Sequence, residues 1–206
     1  MNDAVKSQYD SLYASSSEMF GGGKSLYLLQ NLQDELPKGS VLDVGGGDGR
    51  NALPLAEAGY AMTVVDLSKV GLQKLTDMAE ERGVSITTKI ADITTVSFED
   101  MYDGVVMSFV LHHIDSEEAC EVIGRLQDHT EQNGIHIIAT FLNHGGLYDR
   151  AKKSGRFYPS ENDVRSIYKG WSIKECLVKD VKTMARDKSG QPFKNQAIFF
   201  LAKKER

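Results

Sequence analysis

The chain has 206 residues, of which 41% are hydrophobic and 26% are charged, and its formal net charge is −5. This length and composition predict a single soluble globular domain with one core. The acidic balance argues against nucleic acid as a partner, and no apolar run approaches the length of about 18 residues that a membrane-spanning helix needs. Residues 1–10 lack the apolar region of a secretory signal, and Cys120 and Cys176 have no zinc-type spacing. We therefore expect a cytoplasmic protein with two reduced, packed thiols.

The N-terminal residues 1–37 are predicted to be helical. Residues 3–14 form a polar pattern that places Tyr9 and Tyr13 one turn apart on the same helix face. The serine and glycine clusters between residues 15 and 23 predict a mobile loop, and the leucine spacing over 24–36 predicts a second helix. Two interpretations remain open: this segment is a lid over a site, or its first helix is loosely packed on the surface.

A glycine-rich turn follows a short apolar strand predicted over residues 40–44. Alternate glycines begin at Gly45 and include Gly47, and Asp43 precedes them by two positions. Glycine allows a strand-to-helix turn to bring bare backbone close to a ligand. A dinucleotide fingerprint would require Gly or Ala at position 50, where this chain has Arg50, so an NAD-dependent oxidoreductase is disfavoured. The remaining alternative is a glycine turn that binds no ligand.

Further candidate residues follow the ends of the next predicted strands. They are Asp66 and Leu67 after strand two (60–65), Asp92 and Ile93 after strand three (84–90), and Ser108 at the end of strand four (102–108). An acidic residue after strand two can accept hydrogen bonds from ribose hydroxyls. Because the carboxyl ends of parallel strands lie at one edge of a sheet, we expect these residues to converge.

The remaining chain alternates helical and strand patterns and then ends in two long β runs. The predicted helices lie at 68–82, from Ser116 as N-cap, and at 160–168. Strand five is predicted at 135–141 after an Asn133-Gly134 turn, and β runs are predicted at 172–184 and 193–202. This order predicts an α/β fold with a doubly wound, mostly parallel sheet and a C-terminal antiparallel hairpin.

A histidine pair follows strand four in the sequence Val110-Leu111-His112-His113. Adjacent side chains on an extended segment point to opposite sides, so the two histidines are poor partners for one metal ion, and no metal site is predicted. We expect one histidine to face the mouth of an active site and the other to be structural.

The glycine turn, with Asp43 before it, resembles motif I of the class I S-adenosylmethionine (SAM) methyltransferases. The sequence from Gly47 to Asn51, the later Gly59-Tyr60 and the order of the C-terminal third resemble the TehB-type tellurite-resistance methyltransferases over nearly all of residues 38–205. The resemblance implies SAM as cofactor. It implies that Asp43, Gly45, Gly47, Asp66, Leu67, Asp92, Ile93 and Ser108 bind it.

The resemblance also predicts a function and a division of the domain. A single domain over residues 1–206 would hold a SAM-binding core at 38–141 and substrate-side elements at 142–206. It would transfer a methyl group to a small molecule, such as a tellurium, selenium or sulfur nucleophile, without nucleic acid or membrane partners. The candidate catalytic residues are His112 and Arg186, and the candidate substrate residues are Tyr9, Tyr13 and Tyr148. The family's histidine before Arg186 is Ala185 here. A SAM-binding or S-adenosylhomocysteine (SAH)-binding regulatory protein without catalysis is the alternative.

Overall fold

A computed structural model describes residues 3–15, 19–20 and 26–205 of the protein. Within these residues the strands form a seven-stranded sheet. The strands are β1 (Ser40–Val44), β2 (Ala61–Asp66), β3 (Ile86–Ile90), β4 (Tyr102–Ser108), β5 (Thr130–Gly145), β6 (Trp171–Arg186) and β7 (Pro192–Lys204). Their spatial order is β3-β2-β1-β4-β5-β7-β6. The first five pair in parallel, while β7 runs antiparallel to both β5 and β6. The predicted parallel sheet with a terminal antiparallel hairpin is confirmed.

Helices cover both faces of this sheet. They are α1 (Asp3–Ala14), α2 (Leu26–Glu35), α3 (Ala52–Glu57), α4 (Lys69–Glu81), α5 (Ser116–Asp128), α6 (Gly146–Ala151) and α7 (Glu161–Ile167). One hydrophobic cluster joins α2, α3 and α4 to the sheet, and a second joins α5 and α7 to its other face. Strand β4 is therefore buried on both faces, as its continuous apolar run predicts. The strand order reverses between β1 and β4, which is where ligands bind in doubly wound folds.

Helix α4 shows how the sequence fixes an element beside this reversal point. Ser68 has an extended backbone and its hydroxyl accepts a hydrogen bond from the Gly71 amide at 3.0 Å, which satisfies a free donor in the first turn. Leu72, Leu75 and Ala79 recur on one face and are buried. The cap and the apolar face together hold the start of α4 directly after β2.

The structure differs from the sequence prediction at several boundaries. Helix α5 has Asp115 as its N-cap, not Ser116, and the Asp115 amide donates to the Glu118 carboxylate at 3.4 Å. Strand β5 begins at Thr130, because Asn133, with φ 64°, makes an irregularity within the strand instead of a separate turn. Cys120 is exposed, not packed, although both cysteines are free thiols.

The predicted loop and the possibility of a membrane-spanning helix concern segments outside the sheet core. Residues 16–18 and 21–25, which include most of the predicted serine and glycine loop, lie outside the described residues. Within the described part of the chain, no helix combines the length and apolar character needed to cross a bilayer.

Candidate cofactor and acceptor site

The glycine turn after β1 presents bare backbone at the reversal point of the sheet. Gly45 has φ 69° and Gly47 has φ 56°, a region that side-chain-bearing residues rarely adopt. A β-carbon on Gly45 would collide with Val110, and one on Gly47 would collide with the hydroxyl of Tyr13. Glycine is therefore required at both positions by the backbone conformation and by the available space.

Asp66, the last residue of β2, is tied to this turn. One of its carboxylate oxygens accepts the Gly47 amide at 2.9 Å, and the other accepts the Ser68 amide at 2.7 Å. Burial raises the pKa of Asp66, and these backbone hydrogen bonds oppose the shift. Each oxygen keeps a further lone pair, so the carboxylate can also accept hydrogen bonds from a ligand's hydroxyl groups.

A cavity opens at the carboxyl ends of β1, β2 and β4, as the strand reversal predicts. The predicted site residues that line it are Tyr9, Tyr13, Gly45, Asp66, Leu67, Ile93 and Ser108. These residues come from α1, the glycine turn, the end of β2, the segment after β3 and the end of β4. The convergence expected of the residues at the strand ends is therefore present for Gly45, Asp66, Leu67, Ile93 and Ser108, and Tyr9 and Tyr13 join them from α1.

Asp43 lies beneath the glycine turn and is fully buried, with neither carboxylate oxygen hydrogen-bonded to a described residue. A β-carbon at Gly46 would approach the Asp43 carboxylate to 2.9 Å, so the turn packs directly on this group. Burial raises its pKa to about 7, although the positive charge of Arg50 acts in the opposite direction.

Besides Asp43, two predicted cofactor residues, Gly47 and Asp92, lie near the cavity but do not line it. Gly47 is covered by Tyr13, as described above. One oxygen of Asp92 accepts hydrogen bonds from the amide and hydroxyl of Thr94, at 2.9 and 2.8 Å, and its neighbour Ile93 forms the cavity wall.

The predicted catalytic residues are not brought to the cavity. Arg186 ends β6, where it is exposed and donates to the Gly190 carbonyl at 2.8 Å across the hairpin turn. His112 is 7% exposed and sits behind the wall. Tyr148, a predicted substrate residue, is also outside the lining, and its ring lies 5.9 Å from that of Tyr158.

The histidine pair is not extended, contrary to the sequence expectation. Residues Leu111–His113 form a 3₁₀ turn, which brings the two imidazole centroids to 4.0 Å from each other. His113 lines the cavity, and its Nε2 lies 2.9 Å from the Tyr9 hydroxyl. Burial, followed by the positive charge of Arg156, lowers the pKa of His113 to about 4. His113, not His112, is thus the histidine that a ligand in the cavity can reach.

Two tyrosines of α1 and the separate residue Phe20 cover one side of the cavity with aromatic side chains. The rings of Tyr9, Tyr13 and Phe20 pack against one another with centroids 5.8 to 6.0 Å apart. The Ser68 hydroxyl donates to Asp10 at 2.5 Å, and Lys6 pairs with Asp10 at 2.7 Å on the same helix. The described part of this segment lies against the cavity, and its interpretation as a lid stays a prediction.

Several lining residues were not among the candidate site residues from the sequence, namely Arg50, Asn51, Phe20, Phe109 and Val110. Arg50 and Asn51 directly follow the glycines, so their position in the turn was an available signal. Phe109 was not predictable, because its φ of 54° follows from the packing of the segment after β4 and not from a local preference.

Buried polar atoms without partners are concentrated around this cavity. In the described residues, such side-chain atoms belong to Asp43, Asn51, Ser108, His112, His113 and Thr140. Three of the six residues, Asn51, Ser108 and His113, line the cavity. Asp43 lies under the glycine turn and His112 beside His113, while Thr140 lies within β5. Buried polar groups are normally hydrogen-bonded, so this concentration indicates a place built for a polar ligand. Among the same residues, no group of three or more His, Cys, Asp or Glu side chains is arranged to hold a metal ion.

Comparison with known proteins places the chain in a family. The family model described as "Tellurite resistance protein TehB" matches residues 30–197. A "Probable S-adenosyl-L-methionine-dependent methyltransferase TehB" of Haemophilus influenzae strain 10810 is 27% identical over 165 residues, which is 80% of this chain and 57% of that protein. The chain therefore spans little more than half the length of this relative.

Solved structures show the same fold. TehB from Haemophilus influenzae superposes with a TM-score of 0.76 at 23% identity, covering 87% of this chain and 62% of that one. Magnesium protoporphyrin IX methyltransferase from Synechocystis PCC 6803 with bound SAM gives a TM-score of 0.63 at 22% identity, covering 98% and 80%. The fold is that of the class I SAM-dependent methyltransferases, as the glycine turn predicts.

Proposed function

Because this chain belongs to the TehB family of tellurite resistance proteins, we propose that it is a SAM-dependent methyltransferase acting on a small molecule. The observation that carries the proposal is the set of unpartnered buried polar atoms around a cavity floored by bare glycine backbone. The Haemophilus influenzae relative, a probable SAM-dependent methyltransferase by name, supports the same activity.

The residues of the cavity fit the parts of SAM. Gly45, which lines the cavity, would contact the methionyl part, and Gly47 lies beside it in the same turn. Asp66, whose carboxylate already accepts two backbone amides, would accept the ribose hydroxyls. Ile93 would pack against adenine with Asp92 next to it. The Asp43 carboxyl lies beneath the turn, and a positively charged methionyl ammonium above it would favour its ionised form.

Arg50 completes the methionyl end of this arrangement. It lines the cavity, and its guanidinium makes no hydrogen bond or ion pair with a described residue. A guanidinium can bind a carboxylate through two parallel hydrogen bonds, so Arg50 would hold the methionyl carboxylate.

Bound SAM would supply a methyl group on an electrophilic sulfonium. The protein's part is to hold the acceptor in line with that group, an orientation effect that can contribute roughly 7–11 kcal/mol in favourable cases. The aromatic side chains of α1 would exclude water from the cavity, which strengthens the electrostatic interactions inside it.

The acceptor is proposed to be a soft nucleophile of tellurium, selenium or sulfur. The family name supports this class, and the aromatic side of the cavity formed by Tyr9, Phe20 and Phe109 suits a polarisable group. Recognition of the acceptor by Arg186 is not supported, because its guanidinium is engaged at the hairpin turn.

Transfer of a radiolabelled methyl group tests this function. Purified protein should transfer label from methyl-labelled SAM to at least one member of a panel of chalcogen oxyanions, thiols and amines. Label transfer separates the enzyme from a non-catalytic SAM-binding or SAH-binding protein, which would bind SAH and methylate nothing. Absence of both binding and transfer would contradict the proposal as a whole.

A further inference from the structure

We propose that Arg125, which does not line the cavity, is a positioning residue for the cofactor: it holds the backbone of residues 93–96 in the conformation that receives adenine. The inference rests on the proposed methyl transfer, because it takes Ile93 as the residue that packs against adenine. It means that one end of the cofactor site is set by a helix that does not touch the cofactor.

The segment between β3 and β4 forms the wall of the cavity at which adenine is proposed to bind. Residues 91–101 contain no helix or strand, although a helix usually connects consecutive parallel strands. Ile93 is the residue of this segment that lines the cavity, and the rest of its side chain packs into the hydrophobic cluster shared with α5 and α7. The wall therefore lacks the regular backbone hydrogen bonds that hold a helix or strand in place.

Local hydrogen bonds satisfy the amides at the start of this segment but not its carbonyls. The amides of Thr95 and Val96 donate to the Asp92 carbonyl at 3.1 and 2.8 Å. The Thr94 amide donates to the Asp92 carboxylate at 2.9 Å. In the described chain, the carbonyls of Ile93, Thr94 and Val96 accept no backbone amide. Each of these acceptors therefore needs a donor from elsewhere in the fold.

The guanidinium of Arg125 supplies those donors. Its Nη1 donates to the Val96 carbonyl at 2.7 Å, and its Nη2 donates to the carbonyls of Ile93 at 2.8 Å and Thr94 at 3.0 Å. Its Cζ also lies 5.9 Å from the centre of the Phe98 ring, in the same segment. Because a guanidinium is planar and presents its donors in a fixed fork, the three carbonyls can be satisfied together only in one relative orientation.

Helix α5 gives this guanidinium a rigid support. Arg125 is half-buried in the last turn of α5, where a positive charge interacts favourably with the helix end. Val122, Ile123 and Leu126 on the same helix are buried in the cluster that also contains Ile93. The three hydrogen bonds of Arg125 therefore tie the adenine wall to the core beneath the sheet.

The consequence for binding is a shift of populations. While Arg125 holds the segment, the folded protein presents Ile93 at the position that adenine meets. Without Arg125 the segment adopts other conformations as well, and the apparent affinity falls in proportion to the fraction that remains competent. Because this wall meets only the nucleoside end, the loss should be the same for every ligand that carries adenine.

Calorimetric binding of two ligands tests the inference: SAH, and 5′-methylthioadenosine, which has the nucleoside and the sulfur but no amino acid part. Arg125→Met removes the three hydrogen bonds and keeps an unbranched side chain. We expect it to bind both ligands about tenfold more weakly, which corresponds to a competent fraction of about one tenth. Arg50→Met should weaken SAH alone, because Arg50 would hold the methionyl carboxylate that 5′-methylthioadenosine lacks.

Arg125→Lys is the conservative variant, and it keeps the test available if Arg125→Met does not fold. A single ammonium cannot reproduce the fork that spans three carbonyls, so the affinity of Arg125→Lys should lie between those of Arg125→Met and the unmodified protein. The matched control is Arg165→Met, because the Arg165 guanidinium pairs with Glu161 one turn away on α7. It should bind both ligands as the unmodified protein does.

Hydrogen exchange of the unliganded proteins gives an answer that needs no ligand. The amides of residues 94–98 should exchange faster in Arg125→Met than in the unmodified protein or in Arg165→Met. Unchanged affinity of folded Arg125→Met and Arg125→Lys for both ligands would show that Arg125 only supports the fold, and would overturn the inference. Weaker binding of SAH with unchanged binding of 5′-methylthioadenosine would also overturn it. Failure of the unmodified protein to bind SAH would instead contradict the proposed methyltransferase function, so the two failures are distinguishable.

Discussion

The hydroxyl of Tyr13 occupies the position that a β-carbon on Gly47 would need, so the first helix closes directly onto the glycine turn. The same ring lies against Gly71 at the start of α4. Two glycines from different elements therefore form the notch that receives the phenol of Tyr13. Docking of α1 and the proposed cofactor site therefore depend on the same bare backbone.

Gly47→Ala tests this relationship. An L-residue at φ 56° costs about 1–2 kcal/mol, and the added methyl group also displaces Tyr13. We expect lower stability in urea unfolding and faster hydrogen exchange in α1. Gly59→Ala is the matched control, because Gly59 has φ 91° with no atom within 4 Å of an added β-carbon. It should show the stability loss alone, and equal exchange of α1 in both variants would contradict the notch.

Ser68 connects α1 to the start of α4 through its two hydrogen bonds, to Gly71 and to Asp10. Removing an N-cap hydroxyl costs about 1 kcal/mol. Ser68→Ala should therefore lower the free energy of unfolding by at least this amount and also accelerate hydrogen exchange in α1. Ser160→Ala removes the corresponding cap of α7, which accepts from Asp163 at 3.2 Å, and should leave α1 unaffected. If both variants changed α1 equally, the Ser68 link would not hold this helix.

Asp43 should make the unliganded protein less stable as pH rises. Its folded pKa of about 7 lies above the value of about 3.9 in the unfolded chain, so the folded state binds the extra proton. The stabilising contribution is complete below about pH 4 and disappears as pH rises through 7. Asp43→Asn does not titrate, so its stability relative to the unmodified protein should increase by a few kcal/mol between about pH 5 and 8. Urea unfolding at both pH values would show this, and a constant difference would refute it.

His136 should have the opposite pH dependence. It is fully buried, with its ring nitrogens 2.7 Å from Thr130 and 2.6 Å from the Tyr168 hydroxyl. Burial, with the charge of Lys204, lowers its pKa to about 3, whereas the unfolded value is about 6.5. The stability is present above pH 6.5 and is lost as pH falls towards 3. His136→Gln should thus show a flatter decline in unfolding free energy between pH 7 and 4, and an unchanged slope would contradict this role.

Most strands of the sheet could be predicted from the sequence, because strand patterns and turn residues are local signals. Ser40 to Val44, the glycines after them and Asp66 at the end of β2 each follow from strand pattern or turn chemistry, and they define the cofactor side of the cavity. The acceptor side depends on contacts between distant segments. The contact between Tyr9 and His113 joins residues 104 positions apart, and the 3₁₀ turn that directs His113 inward has no local sequence signal.

The same distinction explains the errors. Arg186 looked available for a substrate because the sequence does not show that the Gly190 carbonyl accepts its guanidinium. Asp115 replaced Ser116 as the cap of α5 because the Gly155–Phe157 segment hydrogen-bonds to Ser116 and Ile114. Both positions were decided by tertiary contacts that override a local preference.

Calorimetric binding of SAH to the unmodified protein and to Asp66→Asn tests the central claim most directly. Asn keeps the shape of Asp66 but presents only one accepting oxygen and no charge, so ribose recognition should weaken. We expect binding to the unmodified protein and at least about tenfold weaker binding to Asp66→Asn, with Asp128→Asn, on an exposed part of α5, unchanged. Equal affinity of Asp66→Asn and the unmodified protein, or no binding to either, would contradict a cofactor site at the end of β2.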